Sequence, residues 1–291
     1  NTEEGKAMQR ITQQAGIVCC SDGLAKNQQE QVHNLRDALR QMNISVIMSP
    51  YLYQGIGTAK QKAQALMALY GNDDIHDVFD ISGGDLANEL LPYLDYKRIA
   101  DSGKTFWGYS DLTSILNGIY SKTGNPGVLY QIRNLIGVCG QEQQEKFYQM
   151  LQRKGDDLFR FDYHFIQGTE MEGIVIGGNI RCLLKLAGTE YFPDCHDRIL
   201  LLESLSGDMS RITAYFSQLQ QMGVFDRCVG ILLGTFTQLE QENGIDAAPI
   251  LLQRFVRRGS SDCENKTDWS RGRFQGHNDR EEHVFICSKM I

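Results

Sequence analysis

Ser110 stands in the stretch TFWGYSDLTSILNGIYSKTG, where a short apolar run meets an amphipathic helical pattern. A serine at such a corner can act as a nucleophile if three conditions hold. A base must take its proton, an acid must orient the base, and N–H donors must receive the oxyanion. Gly108 leaves room for a tight turn, and a helix beginning at Asp111 or Leu112 would aim its first N–H groups at that oxyanion. The same residues also fit a capped helix, with Ser110 as N-cap and Asp111 as a first-turn acid. On this segment alone the cap is the somewhat better fit. Leu112 replaces the second glycine of G-x-S-x-G, which argues against an ordinary α/β-hydrolase.

Six histidines compete for the role of base. His33 lies on a helical pattern, His76 and His283 open strand-like runs, His164 sits in an aromatic connector, and His196 is in the turn PDCHD. His277 occupies GHND, a loop where Gly276 and Asn278 permit unusual backbone angles. For the orienting acid, Glu203 ends the apolar run RILLLES, where a carboxylate costs desolvation unless it meets a partner. The plain alternative is that Glu203 reaches solvent or a cation such as Arg211. The order Ser110, Glu203, His277 is compatible with a triad, since triads occur in several chain orders. The segment ISGGDLANE offers the N–H of Gly83 or Gly84 as a second oxyanion donor, or else a phosphate-type loop. GGN at 177–179 could line the same cleft or be a plain turn.

The elements that must position these residues are legible as a strand–helix alternation. GIVCCSD, SVIMSP, HDVFDISGG and TFWGYS read as strands, separated by helical patterns in NQQEQVHNLRDALRQM, TAKQKAQALMALYG and DLANELLPYL. Such alternation predicts a parallel sheet covered on both faces, with ligands at the strand carboxyl ends, where SGGD and GYSD both fall. The stretch 140–170 reads as a polar connector with one short helix. EGIVIGG, RILLLES, VGILLGTF and HVFICS then form a second strand group. The expectation is an α/β chain: a Rossmann-like parallel domain over 1–155 carrying the serine, and a smaller α/β domain over 156–291 carrying Glu203 and His277.

Composition narrows the classes. A formal net charge of −7 disfavours nucleic acid or an anionic membrane as the partner. No apolar run reaches the roughly 18–20 residues that cross a bilayer. The first residues are polar and lack the apolar core of a secretory signal; taken with scattered cysteines that fit a reducing compartment, the expected location is cytoplasmic. The eight cysteines follow no C-x-x-C spacing and several lie in strand-like runs. They read as mostly buried, reduced thiols, and no zinc site is expected.

FDISGGDLANELLPYLDY, FWGYSDLTSILNGIYSKTG, GGN, ILLLES and GHND, in this order and spacing, resemble the L,D-carboxypeptidase family of serine peptidases. The resemblance runs from about residue 15 onward. That family includes murein tetrapeptide carboxypeptidases and microcin C immunity peptidases. The resemblance implies Ser110 as nucleophile, His277 as general base and Glu203 as the acid that orients it. It implies backbone N–H donors at Asp111 and Gly84, a homodimer, no metal, no cofactor, and a cytoplasmic enzyme of cell-wall peptide recycling. The family's usual Gly-His-Gly reads Gly-His-Asn here, and the polar stretch before it is longer. The expected activity is removal of a C-terminal D-amino acid, D-Ala, from a murein tetrapeptide through an acyl-enzyme. Two alternatives are cleavage of aminoacyl- or peptidyl-nucleotides on the same triad, and a non-catalytic peptide-binding module that retains the cleft.

Overall fold

The computed structural model describes residues 13–152 and 154–256, together with the backbone of 268–273 and 286–287. The first half runs β1 (Gln13–Val18), α1 (Gln29–Gln41), β2 (Ile44–Met48), α2 (Ala59–Tyr70), β3 (Ile75–Asp80), α3 (Tyr96–Ser102), β4 (Thr105–Gly108), α4 (Thr113–Thr123) and β5 (Val128–Leu129). Then come α5 (Gly140–Leu151), β6 (Asp162–Gln167), β7 (Ile174–Asn179), α6 (Ile180–Leu184), β8 (Arg198–Ser204), α7 (Met209–Gln221) and α8 (Val224–Arg227). The chain continues with β9 (Gly230–Phe236), α9 (Thr237–Asn243), α10 (Ala247–Leu252), β10 (Asp268–Arg273) and β11 (Ile286–Cys287).

Two sheets result. The first has the order β11-β5-β4-β3-β1-β2, parallel throughout except for β11, which pairs antiparallel with β5. The second has the order β6-β10-β9-β8-β7, parallel except for the β6–β10 pair. The chain is therefore α/β, with a parallel sheet in its N-terminal part and a smaller sheet region after it. Strand order reverses between β1 and β3, so the loops leaving those strands diverge and open a crevice at their carboxyl ends.

Both faces of the first sheet are covered. Ile17, Phe79, Trp107 and Tyr130 pack with Leu35, Leu39 and Phe147 on one side. Val78 and Phe106 meet Leu66, Ile115 and Ile119 on the other. In the second sheet Leu200, Leu202, Ile231 and Leu233 bury against Ile212, Phe216 and Leu219 of α7. The opposite face of β8 and β9 supplies Leu201 and Leu232 to the same apolar cluster as Ile115 and Leu129, so one core continues across both sheets. At about 25 cal/mol per Å² of apolar surface, this shared burial helps to hold the two sheets together.

Several expectations need correction. The connector read over 140–170 contains α5 and a genuine strand, β6. Its antiparallel partner, β10, lies about a hundred residues downstream, so no local pattern announces the pairing. HVFICS, expected in the second sheet, instead supplies β11, which pairs with β5 in the first. DLANELLPYL forms a 3-10 run over Ala87–Tyr93 instead of an α-helix, with Pro92 inside it. Proline there removes an N–H and clashes with the preceding turn. Cys19, Cys20, Cys182, Cys195 and Cys228 are buried free thiols as expected, while Cys139 is exposed.

Candidate active site

Among the described residues only Asn43, Ser110 and Asp197 combine a side chain with positive φ. Asn and Asp tolerate that region through local hydrogen bonds, whereas serine gains no such relief. Ser110 sits there at φ 56, directly after β4 and the extended Tyr109. A 3-10 turn over Ser110–Leu112 then feeds α4. The N-cap position belongs to Tyr109, and Ser110 Oγ makes no hydrogen bond among the described residues. The capped-helix alternative is thereby removed, and the strain belongs to a serine presented at a strand–helix corner. Leu112 explains Gly108: a Cβ on Gly108 would lie 2.5 Å from Leu112 Cβ. The leucine in the second glycine position packs back into the space the first glycine leaves.

Asp111 is fully buried. Its carboxylate accepts hydrogen bonds from Ser21 Oγ at 2.6 Å and the Ala87 N–H at 2.8 Å, and it pairs with Lys185 Nζ. One side chain therefore ties the corner after β4 to the loops after β1 and β3, and to the residue that ends α6. Its backbone N–H lies in the first turn leading into α4, where helix donors lack intrahelical acceptors.

The SGGD corner approaches the same edge. Gly84 has φ 129, and a Cβ there would overlap the Asp22 carboxyl group. Asp22 Oδ1 accepts the Asp85 N–H at 3.2 Å. A Gly84→Ala protein is therefore expected to lose about 2 kcal/mol of stability, a middling cost for one strained residue, and to show a lower melting temperature. An unchanged melt would contradict the tight approach. Beneath this corner Asp80, buried, accepts hydrogen bonds from the N–H groups of Cys20 and Ser82 and from Ser82 Oγ. Burial raises its carboxyl above the usual range, with those bonds opposing the rise.

Glu203 is the last residue but one of β8, with 3% exposure, level with Asn179 on β7. Both plain alternatives fail: Glu203 does not meet solvent, and no cation pairs with it among the described residues. Arg211 instead lies in the first turn of α7, where its N–H bonds Asp208 Oδ1. Glu203 Oε1 is buried without a hydrogen-bond partner among the described residues. Burial pushes its carboxyl up to about 7, and a hydrogen bond with the Asn179 side chain opposes the rise.

GGN links the two halves. Asn179 donates its N–H to Thr113 Oγ1 at 3.0 Å, and its side chain caps α6 by accepting the Cys182 N–H. Asn117 of α4 holds Gly177 from both sides: Nδ2 donates to the Gly177 carbonyl and Oδ1 accepts its N–H, each at 2.9 Å. The first turns of α4, which follow Ser110, are thus joined to the strand that flanks Glu203.

His277 and His283 lie outside the described residues. The four described histidines, His33, His76, His164 and His196, are all exposed, and none bonds Ser110 or Glu203. An open depression of about 730 Å³ lies against α1 and α5 and includes none of Ser110, Gly84, Asp111 or Glu203. No group of three or more potential metal ligands occurs among the described residues. A strained hydroxyl, a helix start, a glycine corner and a buried carboxylate are the kinds of group that acyl transfer uses. Sequence reading missed Ser21, Arg181 and Lys185. The last two are cations four residues apart just after GGN, a spacing that ordinarily marks a solvated helix face.

Residues 15–131 match the family model for the LD-carboxypeptidase N-terminal domain, and residues 172–262 match that for the LD-carboxypeptidase C-terminal domain. The Escherichia coli microcin C7 self-immunity protein MccF is 31% identical over 210 residues, which cover 61% of each chain. The chain thus spans about three-fifths of that relative's length. The Pseudomonas aeruginosa murein tetrapeptide carboxypeptidase is 28% identical over 194 residues, 62% of each chain. A solved structure of MccF in complex with glutamyl sulfamoyl guanosine superposes with a TM-score of 0.76 at 23% identity, covering 90% of this chain and 87% of that one. That last likeness speaks for the fold.

Proposed function

The chain belongs to the LD-carboxypeptidase family, and from that premise we propose that it is a serine peptidase releasing a C-terminal D-amino acid, D-Ala, from murein tetrapeptides. The observation that carries this reading is Ser110, held at positive φ with an unbonded hydroxyl at the carboxyl edge of a parallel sheet. In the proposed reaction Ser110 Oγ attacks the scissile carbonyl while His277 takes its proton. The N–H groups of Gly84 and Asp111 receive the oxyanion, and His277 protonates the leaving amine. Water then attacks the acyl-enzyme by the same route. Glu203 holds the imidazole and stabilises its charged form.

The two described strands that flank His277 in sequence support this assignment. The register of β8, β9 and β10 sets Arg271 level with Leu202, the residue before Glu203. β11 is entered beside the carboxyl end of β5, one strand from the one that leads to Ser110. His277 falls between those two strands in sequence. We keep the division into domains at 155/156, supported by β6 belonging to the second sheet. We also keep a cytoplasmic homodimer without metal or cofactor. No helix among the described residues is long and apolar enough to cross a membrane.

A second reading, hydrolysis of aminoacyl-nucleotides, is favoured by the similarity to MccF. It requires an aromatic surface for the base. Trp107 cannot serve: it is buried against Phe79, Tyr130 and Phe147 and donates Nε1 to Asp77. Side-by-side assays on a murein tetrapeptide and an aminoacyl sulfamoyl nucleotide separate the two. The first reading predicts D-Ala release and labelling of Ser110 by a fluorophosphonate. Turnover of the nucleotide alone would replace it with the second reading, and absence of both turnover and labelling would leave a binding module.

A further inference from the structure

We infer that Lys185, and with it Arg181, is a positioning residue that orients the oxyanion-binding corner from the opposite half of the chain. The inference rests on the reading of Ser110 as nucleophile and Gly84 as oxyanion donor.

The observation is a run of pinned peptide groups. The Gly84 carbonyl accepts Arg181 Nη2 at 3.2 Å, and the N–H of the same peptide unit, that of Asp85, is held by Asp22. The Asp85 carbonyl accepts Lys185 Nζ at 2.8 Å, and the N–H of that unit, on Leu86, points to Ser21 Oγ at 3.4 Å. The next N–H, that of Ala87, bonds the Asp111 carboxylate, which Lys185 also holds. Arg181 and Lys185 both pair with the Asp85 carboxylate as well. Consecutive peptide planes share a Cα and two soft torsions, so fixing the units after Gly84 restricts where its own N–H can point. At φ 129 that orientation has no local energy minimum to keep it for a side-chain-bearing residue, and glycine itself is indifferent.

Lys185 performs two tasks that one substitution would confuse. It neutralises Asp111, whose carboxylate has no exposure while the Lys185 side chain keeps 18%. It also holds the Asp85 carbonyl. A merely structural lysine would do the first only. The distinction is measurable, because the charge can be removed from both partners together while the carbonyl contact is lost.

The test compares wild type with Lys185→Met, the double variant Lys185→Met/Asp111→Asn, and Lys185→Arg, reading melting temperature, kcat, KM and the rate of Ser110 labelling by a fluorophosphonate. The Asp111→Asn change keeps a side-chain oxygen for Ser21 and Ala87. Lys185→Met should lower both the melting temperature and the labelling rate, the latter by about 100-fold, the loss expected for a donor misplaced by about an ångström. The double variant should regain most of the melting temperature but still label slowly, with kcat reduced and KM within about threefold of wild type. Lys185→Arg should recover at least about tenfold in rate, because a cation of similar reach can again hold the Asp85 carbonyl. If the double variant labels at the wild-type rate, Lys185 only balances a buried charge and the inference falls. If wild type is never labelled while the peptide is still turned over, the serine reading fails first and takes this one with it.

Discussion

Replacing Ser110 by alanine is expected to cut release of D-Ala from a murein tetrapeptide by at least about 10⁴-fold while the protein melts within a degree or two of wild type. The two halves of that expectation have separate causes. Removing the nucleophile of a triad leaves only the residual catalysis of oxyanion donors and binding, typically about 10³–10⁴ over water. Stability is spared because Ser110 Oγ makes no hydrogen bond among the described residues, and alanine suffers the same strain at φ 56. Glycine at the same position should be equally inactive but more stable by about 1 kcal/mol, because it relieves that strain. An alanine variant that still released D-Ala at a tenth of the wild-type rate would remove Ser110 from the mechanism. A glycine variant less stable than alanine would show that the positive φ is not strained.

The second large effect concerns Glu203, where activity and stability should move in opposite directions. Glu203→Gln should lower kcat by about 10³–10⁴, because an amide cannot hold the imidazole in the required tautomer or stabilise its charged form. The sign of the stability change follows from the raised carboxyl. Below about pH 4.5 Glu203 is protonated in folded and unfolded chains alike, so the substitution changes little. Between 4.5 and about 7 the unfolded chain ionises while the folded one stays protonated, and wild type progressively loses stability. Above 7 the loss is complete, at up to about 3 kcal/mol for a shift of this size, less whatever a charged His277 returns. Glutamine carries no such penalty, so its advantage in melting temperature should be near zero at pH 4 and greatest at pH 8. A glutamine variant less stable than wild type at pH 8 would show that a partner in the folded protein more than offsets the cost of burying the ionised Glu203 carboxylate.

Ser110 and Glu203 were legible because each lies at or just past the carboxyl end of a strand that any apolar-run reading finds, and because their side chains do not belong at such a place for packing. The backbone angle of Ser110 was not legible. Left-handed conformation is signalled by glycine and asparagine, and a serine that adopts it gives no local sign. The first four strands and their helices were visible for the usual reason, an apolar period that changes with the element. β6 was hidden because DYHFIQ is more exposed than buried and finds its partner far along the chain. β11 was recognised as a strand but placed in the wrong sheet, since a short run of apolar residues says nothing about which edge it will join. Arg181 and Lys185 were passed over because their acceptors, two backbone carbonyls and two carboxylates, lie some 70 to 100 residues upstream and cannot be inferred from sequence spacing.

The grip of Asn117 on Gly177 has a kinetic consequence. A side-chain amide bonded to both polar groups of one strand residue occupies the outer edge of β7 in a single alignment, and slipping by one residue would break both bonds. A Cβ on Gly177 would overlap the Leu201 carbonyl, which closes the other side of that strand against any readjustment. The hydroxyl-bearing and carboxylate-bearing halves are thus locked together when the chain folds, before substrate arrives. Turnover then needs no hinge motion between them, and its speed should be governed by bond making and product departure, with little dependence on solvent viscosity from any closing step.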